Sequence, residues 1–295
     1  MVEVTCRTFQ GRLLLTPTAS LRRITVGVLY KAQIHYPSIK IYNVVFLSNH
    51  YHLLLWAPDA RTLADFMAFT NGNLARKLGA LVHWEGSLWA RRYDLVLVAN
   101  DDLSQMRRFA YLLSHGVKEG LVRDPRHWPG LHAARALTSN GELEGLWFDG
   151  TRACRDRAQR RKKSDDEYTE TVTLQLEKLP CWKHLDWKQI AEQVENLLTE
   201  IIADGRASFP TVMGAKRIRR QSPQSRVPMP RRGPRPLIHA SSKAVRRQML
   251  AAYQQYVISF RKAVQELLGG NLAHPFPLGS CRPPGPWCAL PAPGT

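Results

Sequence analysis

With 295 residues, 42 lysines and arginines against 24 acidic residues and a formal charge of +18, the chain is long enough to bury at least one full core and fits one to two domains. That charge suits a polyanionic partner, nucleic acid first, because cations that neutralise phosphates release condensed counterions. The longest apolar stretch, residues 41–57, is broken by Asn43, Ser48, Asn49 and two histidines, which excludes it as a bilayer-spanning helix.

The first residues lack a basic start followed by an apolar run and a small-residue cleavage site, so the expected location is the cytoplasm, in association with the nucleoid. Cys6, Cys154, Cys181, Cys281 and Cys288 are scattered and contain no CxxC pair, which suits neither a disulfide scaffold nor a zinc ribbon.

Along the chain, residues 2–8 alternate like a strand and 21–35 read as a helix. Residues 39–47 and 50–56 read as two strands joined at Ser48-Asn49, a β-hairpin. Thr62 with Asp65 gives a capping signal ahead of Leu63, Phe66, Met67, Leu74 and Leu78, spaced for one buried helix face. A further strand is expected over 88–98. Asp101 and Asp102 then cap a helix with Leu103, Met106, Ala110, Leu113 and Val117 on its core side. This order of elements predicts an α+β fold with an antiparallel sheet, and residues 1–150 form the expected catalytic domain.

Beyond it the composition changes. Arg152, Arg155, Arg157, Arg160, Arg161, Lys162 and Lys163 mark a basic linker, taken as 151–180. A helical, arginine-rich region is expected over 181–270, with one helix capped by Asp186 and stopped at Gly205, and a last helix through Val245, Met249, Ala252, Tyr256, Phe260, Val264 and Leu267. Between them the Pro/Arg-rich stretch 217–236 has too little apolar surface to fold alone. A Pro/Gly-rich tail, 271–295, closes the chain.

His50 and His52 stand two apart in a predicted strand, so their rings share one face and can share one metal ion. The same spacing also occurs in ordinary structural pairs. Arg107, Tyr111 and His115 are spaced four apart and stack on one side of a helix, so His115 can complete a metal site beside a tyrosine. A tyrosine facing a metal can attack a phosphodiester, because the cation stabilises charge on the phosphate oxygens. Trp89, Arg91, Arg92 and Tyr93 interleave cations with aromatics as single-strand binding requires, and Arg107 and Arg108 can clamp a phosphate near Tyr111. Core packing for the aromatics and a solvated face for the arginines fit the same residues.

Several motifs together resemble the REP-associated tyrosine transposases, a branch of the HUH nucleases. Val45-Phe46-Leu47-Ser48-Asn49-His50-Tyr51-His52-Leu53-Leu54-Leu55 is similar to the family's strand with a His-hydrophobic-His signature. Gly86-Ser87-Leu88-Trp89-Ala90-Arg91-Arg92-Tyr93 resembles its Gly-x-x-Trp-x-x-Arg-Tyr segment, and the run from Tyr111 through Val122 its tyrosine helix. Trp128-Pro129-Gly130 and the opening strand also fit, so the resemblance spans the first half of the chain.

The resemblance implies a ferredoxin-like HUH nuclease domain and a basic, mainly helical C-terminal extension. It further implies that Tyr111 forms a covalent 5′-phosphotyrosine and frees a 3′-hydroxyl, with Mg²⁺ or Mn²⁺ at the two histidines. The implied substrate is single-stranded DNA beside a hairpin, handled by a monomer or homodimer. His115 stands where the family places an Asn or Gln ligand, and three imidazoles suit Mn²⁺, Co²⁺ or Zn²⁺ better than oxygen-seeking Mg²⁺, with Mn²⁺ favoured over Mg²⁺ if His115 is a ligand. Gly116 replaces the family's proline. The competing class is a domesticated nucleic-acid-binding protein that retains the basic surface without catalysis.

Overall fold

The first strand is fixed by alternation. In β1 (Val2–Arg7), Val4 and Cys6 are fully buried on one face, whereas Glu3, Thr5 and Arg7 turn to the other. The computed structural model describes residues 1–161, 163–227 and 237–280, and within them β1 pairs antiparallel with β3 (His50–Trp56) and with β4 (Asp94–Val98). The outer partner of β3 is β2 (Lys40–Phe46), so the hairpin read from the sequence is present. Helix α1 (Ala19–His35) leads into β2, and α2 (Ala60–Leu81) joins β3 to β4. The order is thus β-α-β-β-α-β, and the sheet runs β2-β3-β1-β4 with a short parallel strand, β7 (Ile238–His239), added beside β4. This is an α+β architecture.

Alternation along β3 also assigns the two faces. Tyr51 turns toward α2, where its hydroxyl donates to Asn71 Oδ1 at 2.5 Å. His50 and His52 turn the opposite way, toward α3 (Asp102–Leu113), which packs on β2 and β3. Asp101 caps that helix as expected, accepting from the Ser104 backbone. Its buried face is Phe109, Leu112 and Leu113, rotated from the predicted stripe: Leu103 is exposed because the i, i+3 reading began one position off the core side. The α2 cap is Asp59, not Thr62, since the Asp59 carboxylate accepts the Thr62 N–H at 2.8 Å. The expected strand over 88–98 shrinks to β4, because residues 88–93 form a loop anchored by a single bridge from Trp89 to Thr8.

The stretch read as a linker contains ordered structure. After α4 (Ala134–Leu137), β5 (Glu142–Phe148) pairs along its whole length with β6 (Thr169–Gln175), and α5 (Gly150–Ala158) fills the connection. The ribbon lies against α1, where Gly27 and Gly145 let two backbones meet: a Cβ on Gly27 would fall 1.9 Å from the Leu146 carbonyl oxygen. The run of arginines hid this strand, whose Val172 and Leu174 are buried while its other side is exposed.

Asp186 caps α6 (Trp187–Ser208) with a reciprocal bond from Gln189. Gly205 does not stop it. The helix runs on to Ser208 because Gly205 is a contact point, where a Cβ would lie 2.2 Å from Val117 Cγ1. The Pro/Arg-rich stretch begins with a short helix, α7 (Ala215–Arg219), held by Ile218 in a cluster with Val45, Leu47, Val117, Val122 and Trp128; its residues 228–236 lie outside the described residues, as do 281–295 of the tail. Helix α8 (Lys243–Leu268) matches the last predicted helix and buries only Ala263 and Leu267. No helix among the described residues is long and apolar enough to cross a membrane. Cys6, Cys154 and Cys181 are free thiols.

Candidate metal centre

Two elements bring the three histidines together. Strand β3 supplies His50 and His52 from one face, and the turn after α3 supplies His115. Each offers one ring nitrogen, and the three nitrogens lie within 4.8 Å of one another. Ligands about 2.1 Å from a tetrahedral metal stand about 3.4 Å apart, so a short inward shift of the rings closes the set.

The surroundings select which nitrogen is free. His52 Nδ1 is 2.6 Å from Glu3 Oε1, His50 Nδ1 is 2.7 Å from Asn49 Oδ1, and His115 Nδ1 is 3.2 Å from the Leu112 carbonyl oxygen. Oxygen acceptors at all three Nδ1 atoms place the protons there and leave the Nε2 lone pairs for a ligand. His52 Nε2 is buried with no hydrogen-bond partner, an orphan that a metal ion would satisfy.

Electrostatics keep the rings neutral. Burial pulls all three histidines below their ordinary range, helped at His50 and His115 by the neighbouring imidazole of His52 and by Lys118. At His52 burial is opposed by Glu3 and still prevails. Burial acts to raise the Glu3 pKa, but the bonds and charges of His52 and Arg108 outweigh it and hold the carboxyl below its usual value. Glu3 is 1% exposed and accepts from Arg108 through its second oxygen. It is thereby the hub of the site.

Tyr111 sits at the mouth. Its ring centroid is 4.9 Å from that of His115 and 6.2 Å from that of His52, and it remains 40% exposed. Arg108 lies 4.5 Å from the ring centroid and Lys118 3.3 Å. Burial and the Glu3 charge push the phenol pKa up. Burial brings Lys118 down to about 8.

The other predicted residues divide. Arg108 joins the site through Glu3, while Arg107 is exposed on α3. Trp89 packs edge-on against Tyr51 at 5.4 Å and donates its indole N–H to the Asn71 carbonyl, so it belongs to the packing on the α2 side. Arg91 pairs with Asp94 at 2.8 Å, and Arg92 lies 5.1 Å over the half-buried Tyr93 ring. Of that segment, Arg92 and Tyr93 present a cation and an aromatic ring together. Sequence reasoning missed Glu3 and Lys118. The signals were present: Glu3, Thr5 and Arg7 alternate as the polar face of a predicted strand, and Lys118 follows Tyr111 by seven residues, two helical turns.

Gly116 explains its own presence. Its φ is +87°, its N–H donates to Glu119 Oε2 at 2.6 Å and its carbonyl accepts from Leu121 and Val122. Proline fits neither the angle nor the missing donor. Gly116→Pro is therefore expected to cost about 3 kcal/mol or more in urea unfolding and to loosen His115, whereas a proline tolerated within 0.5 kcal/mol would contradict the turn.

His132 backs the site from the segment that pairs with β2. Its Nδ1 accepts the Ala134 N–H at 3.0 Å, and burial lowers its pKa to about 4 against the raising influence of the Leu113 and His115 backbone. A folded pKa below the unfolded value means the unfolded chain takes protons first as pH falls. The contribution, about 3 kcal/mol, is complete above pH 6.5 and drains away down to about pH 4. His132→Asn retains an acceptor for Ala134, so in chelator its urea midpoint should vary less between pH 7 and 4 than that of the parent; equal slopes would refute the assignment.

No protein-family model and no curated protein matches the chain. Among solved structures, it is similar to one described as "a putative transposase from deinococcus radiodurans r1", with a TM-score of 0.29 and 18% identity over 37% of this chain and 87% of that one.

Proposed function

We propose that this chain is a metal-dependent DNA strand-cutting and strand-transferring enzyme, a transposase of the HUH single-tyrosine type acting on single-stranded DNA beside a hairpin. The observation that carries this reading is the packing of Tyr111 against His52 and His115, which with His50 bring three ring nitrogens together for a metal. The β-α-β-β-α-β order with the sheet β2-β3-β1-β4 supports a ferredoxin-like HUH domain, and the charge of +18 supports a polyanionic substrate.

In this reading the three histidines hold a divalent cation, Mn²⁺ in preference to Mg²⁺, which when bound withdraws charge from the phosphate oxygens. Tyr111 Oη forms a bond to phosphorus as the bond from phosphorus to the 3′-oxygen breaks. The phenolic proton passes to solvent, and the departing 3′-oxygen takes one up. The product is a 5′-phosphotyrosine and a free 3′-hydroxyl, with no change of oxidation state. Arg92 and Tyr93 supply a phosphate contact and a stacking face for the strand.

The test is a pool of hairpin-flanked single-stranded oligonucleotides incubated with Mn²⁺ and resolved for protein attached to the new 5′ ends. Adduct from the wild-type chain, none in chelator and none from Tyr111→Phe is the expected result. Tight, salt-sensitive binding with no adduct under any metal would instead identify a nucleic-acid-binding protein without catalysis.

A further inference from the structure

The centre is rich in positive charge and poor in anions. Three neutral imidazoles bring no charge to a bound cation, and Glu3 is already matched by Arg108. Lys118 adds a cation whose field reaches His50, His52 and His115. Its ammonium is buried with no hydrogen-bond partner among the described residues. The carboxylate it faces, Glu119 Oε1, is 3.9 Å away, beyond hydrogen-bond reach, and Glu119 Oε2 is taken by the Gly116 N–H. A buried ammonium with unmet donors is costly unless something anionic completes it. The Tyr111 ring, 3.3 Å from Nζ to centroid, satisfies one side only.

The unmet donors therefore lie beside Tyr111, where that side chain meets the histidine cluster. We propose that Lys118 is a phosphate-binding residue of this site, donating a charged hydrogen bond to a non-bridging oxygen of the backbone phosphate presented to Tyr111. The inference rests on the reading of the site given above and adds to it a catalytic residue that touches the reacting group. Lys118 stays protonated throughout; the proton of Tyr111 leaves by the route already described. Its part is to hold the phosphate and to offset charge that builds on the oxygens as the new bond forms.

The decisive measurement is the salt dependence of binding to a random-sequence single-stranded oligonucleotide in chelator, followed by fluorescence anisotropy. Lys118→Met, which retains the length of the side chain, should lower the slope of log affinity against log salt by about 0.7, the loss of one phosphate contact on a single strand. Lys31→Met, at a surface lysine paired with Glu170, should leave it unchanged. In Mn²⁺ with saturating DNA, Lys118→Met should also slow adduct formation by about 100-fold or more while Mn²⁺ affinity, read by calorimetry, stays within a few fold. If the methionine variant does not fold, Lys118→Gln gives the same readouts. An unchanged slope overturns the proposal, since the ammonium then meets no phosphate. A lowered slope in a chain that forms no adduct at all would support the phosphate contact and remove the strand-cutting reading instead.

Discussion

Glu3→Ala is expected to destabilise the fold by about 3–5 kcal/mol, the penalty of leaving one member of a buried ion pair without its partner. Glu3 is 1% exposed, and the Arg108 side chain only 11%. Without the carboxylate, the guanidinium keeps its charge and loses its acceptor, while His52 loses the group that fixes its ring. Urea unfolding in chelator measures the first effect. Adding Arg108→Met to Glu3→Ala should restore part of the loss, because it removes the stranded charge while the void left by the shorter residue 3 remains. A single variant within 1 kcal/mol of the parent would show that the pair holds nothing together. Glu3→Gln separates the second effect: it preserves shape and should lower Mn²⁺ affinity by about 10–100-fold through the weakened hold on His52.

The sequence exposed what local periodicity controls and hid what depends on distant partners. His50 and His52 were legible as a pair because β3 begins at His50 and an extended strand turns residues two apart to one face. Tyr111 and His115 were legible as neighbours from their spacing, although α3 stops at Leu113 and a turn, not the helix, delivers His115. Glu3 was overlooked because the alternation of Glu3, Thr5 and Arg7 marks a polar face without naming its partner; the register that sets Thr5 opposite His52 supplies that partner. Trp89 fitted a base-stacking platform and a core residue alike from its sequence; its neighbour in space is Tyr51, whose side chain points away from the histidine face. The β5–β6 ribbon was hidden by the basic run between its strands, since charge described the connection and not the paired segments. Gly205 read as a stop because a glycine in a helix signals an end unless a neighbouring residue, here Val117, requires the missing Cβ.

Tyr111→Phe should abolish the covalent DNA adduct, by at least about a thousandfold, and leave almost everything else in place. The substitution removes one oxygen from a side chain that is 40% exposed and keeps the ring against His115 and Lys118, so stability should stay within about 0.5 kcal/mol. Mn²⁺ affinity should also hold, because the nitrogens proposed to take the metal are the Nε2 atoms and their Nδ1 partners are untouched. His52→Ala must behave differently: it deletes a metal ligand and strands part of the Glu3 carboxylate, so metal binding and adduct should fall together. The two variants therefore locate the chemistry. If Tyr111→Phe still forms adduct, another residue is the nucleophile; if it loses metal affinity as His52→Ala does, the phenol is a ligand and cannot be free to attack.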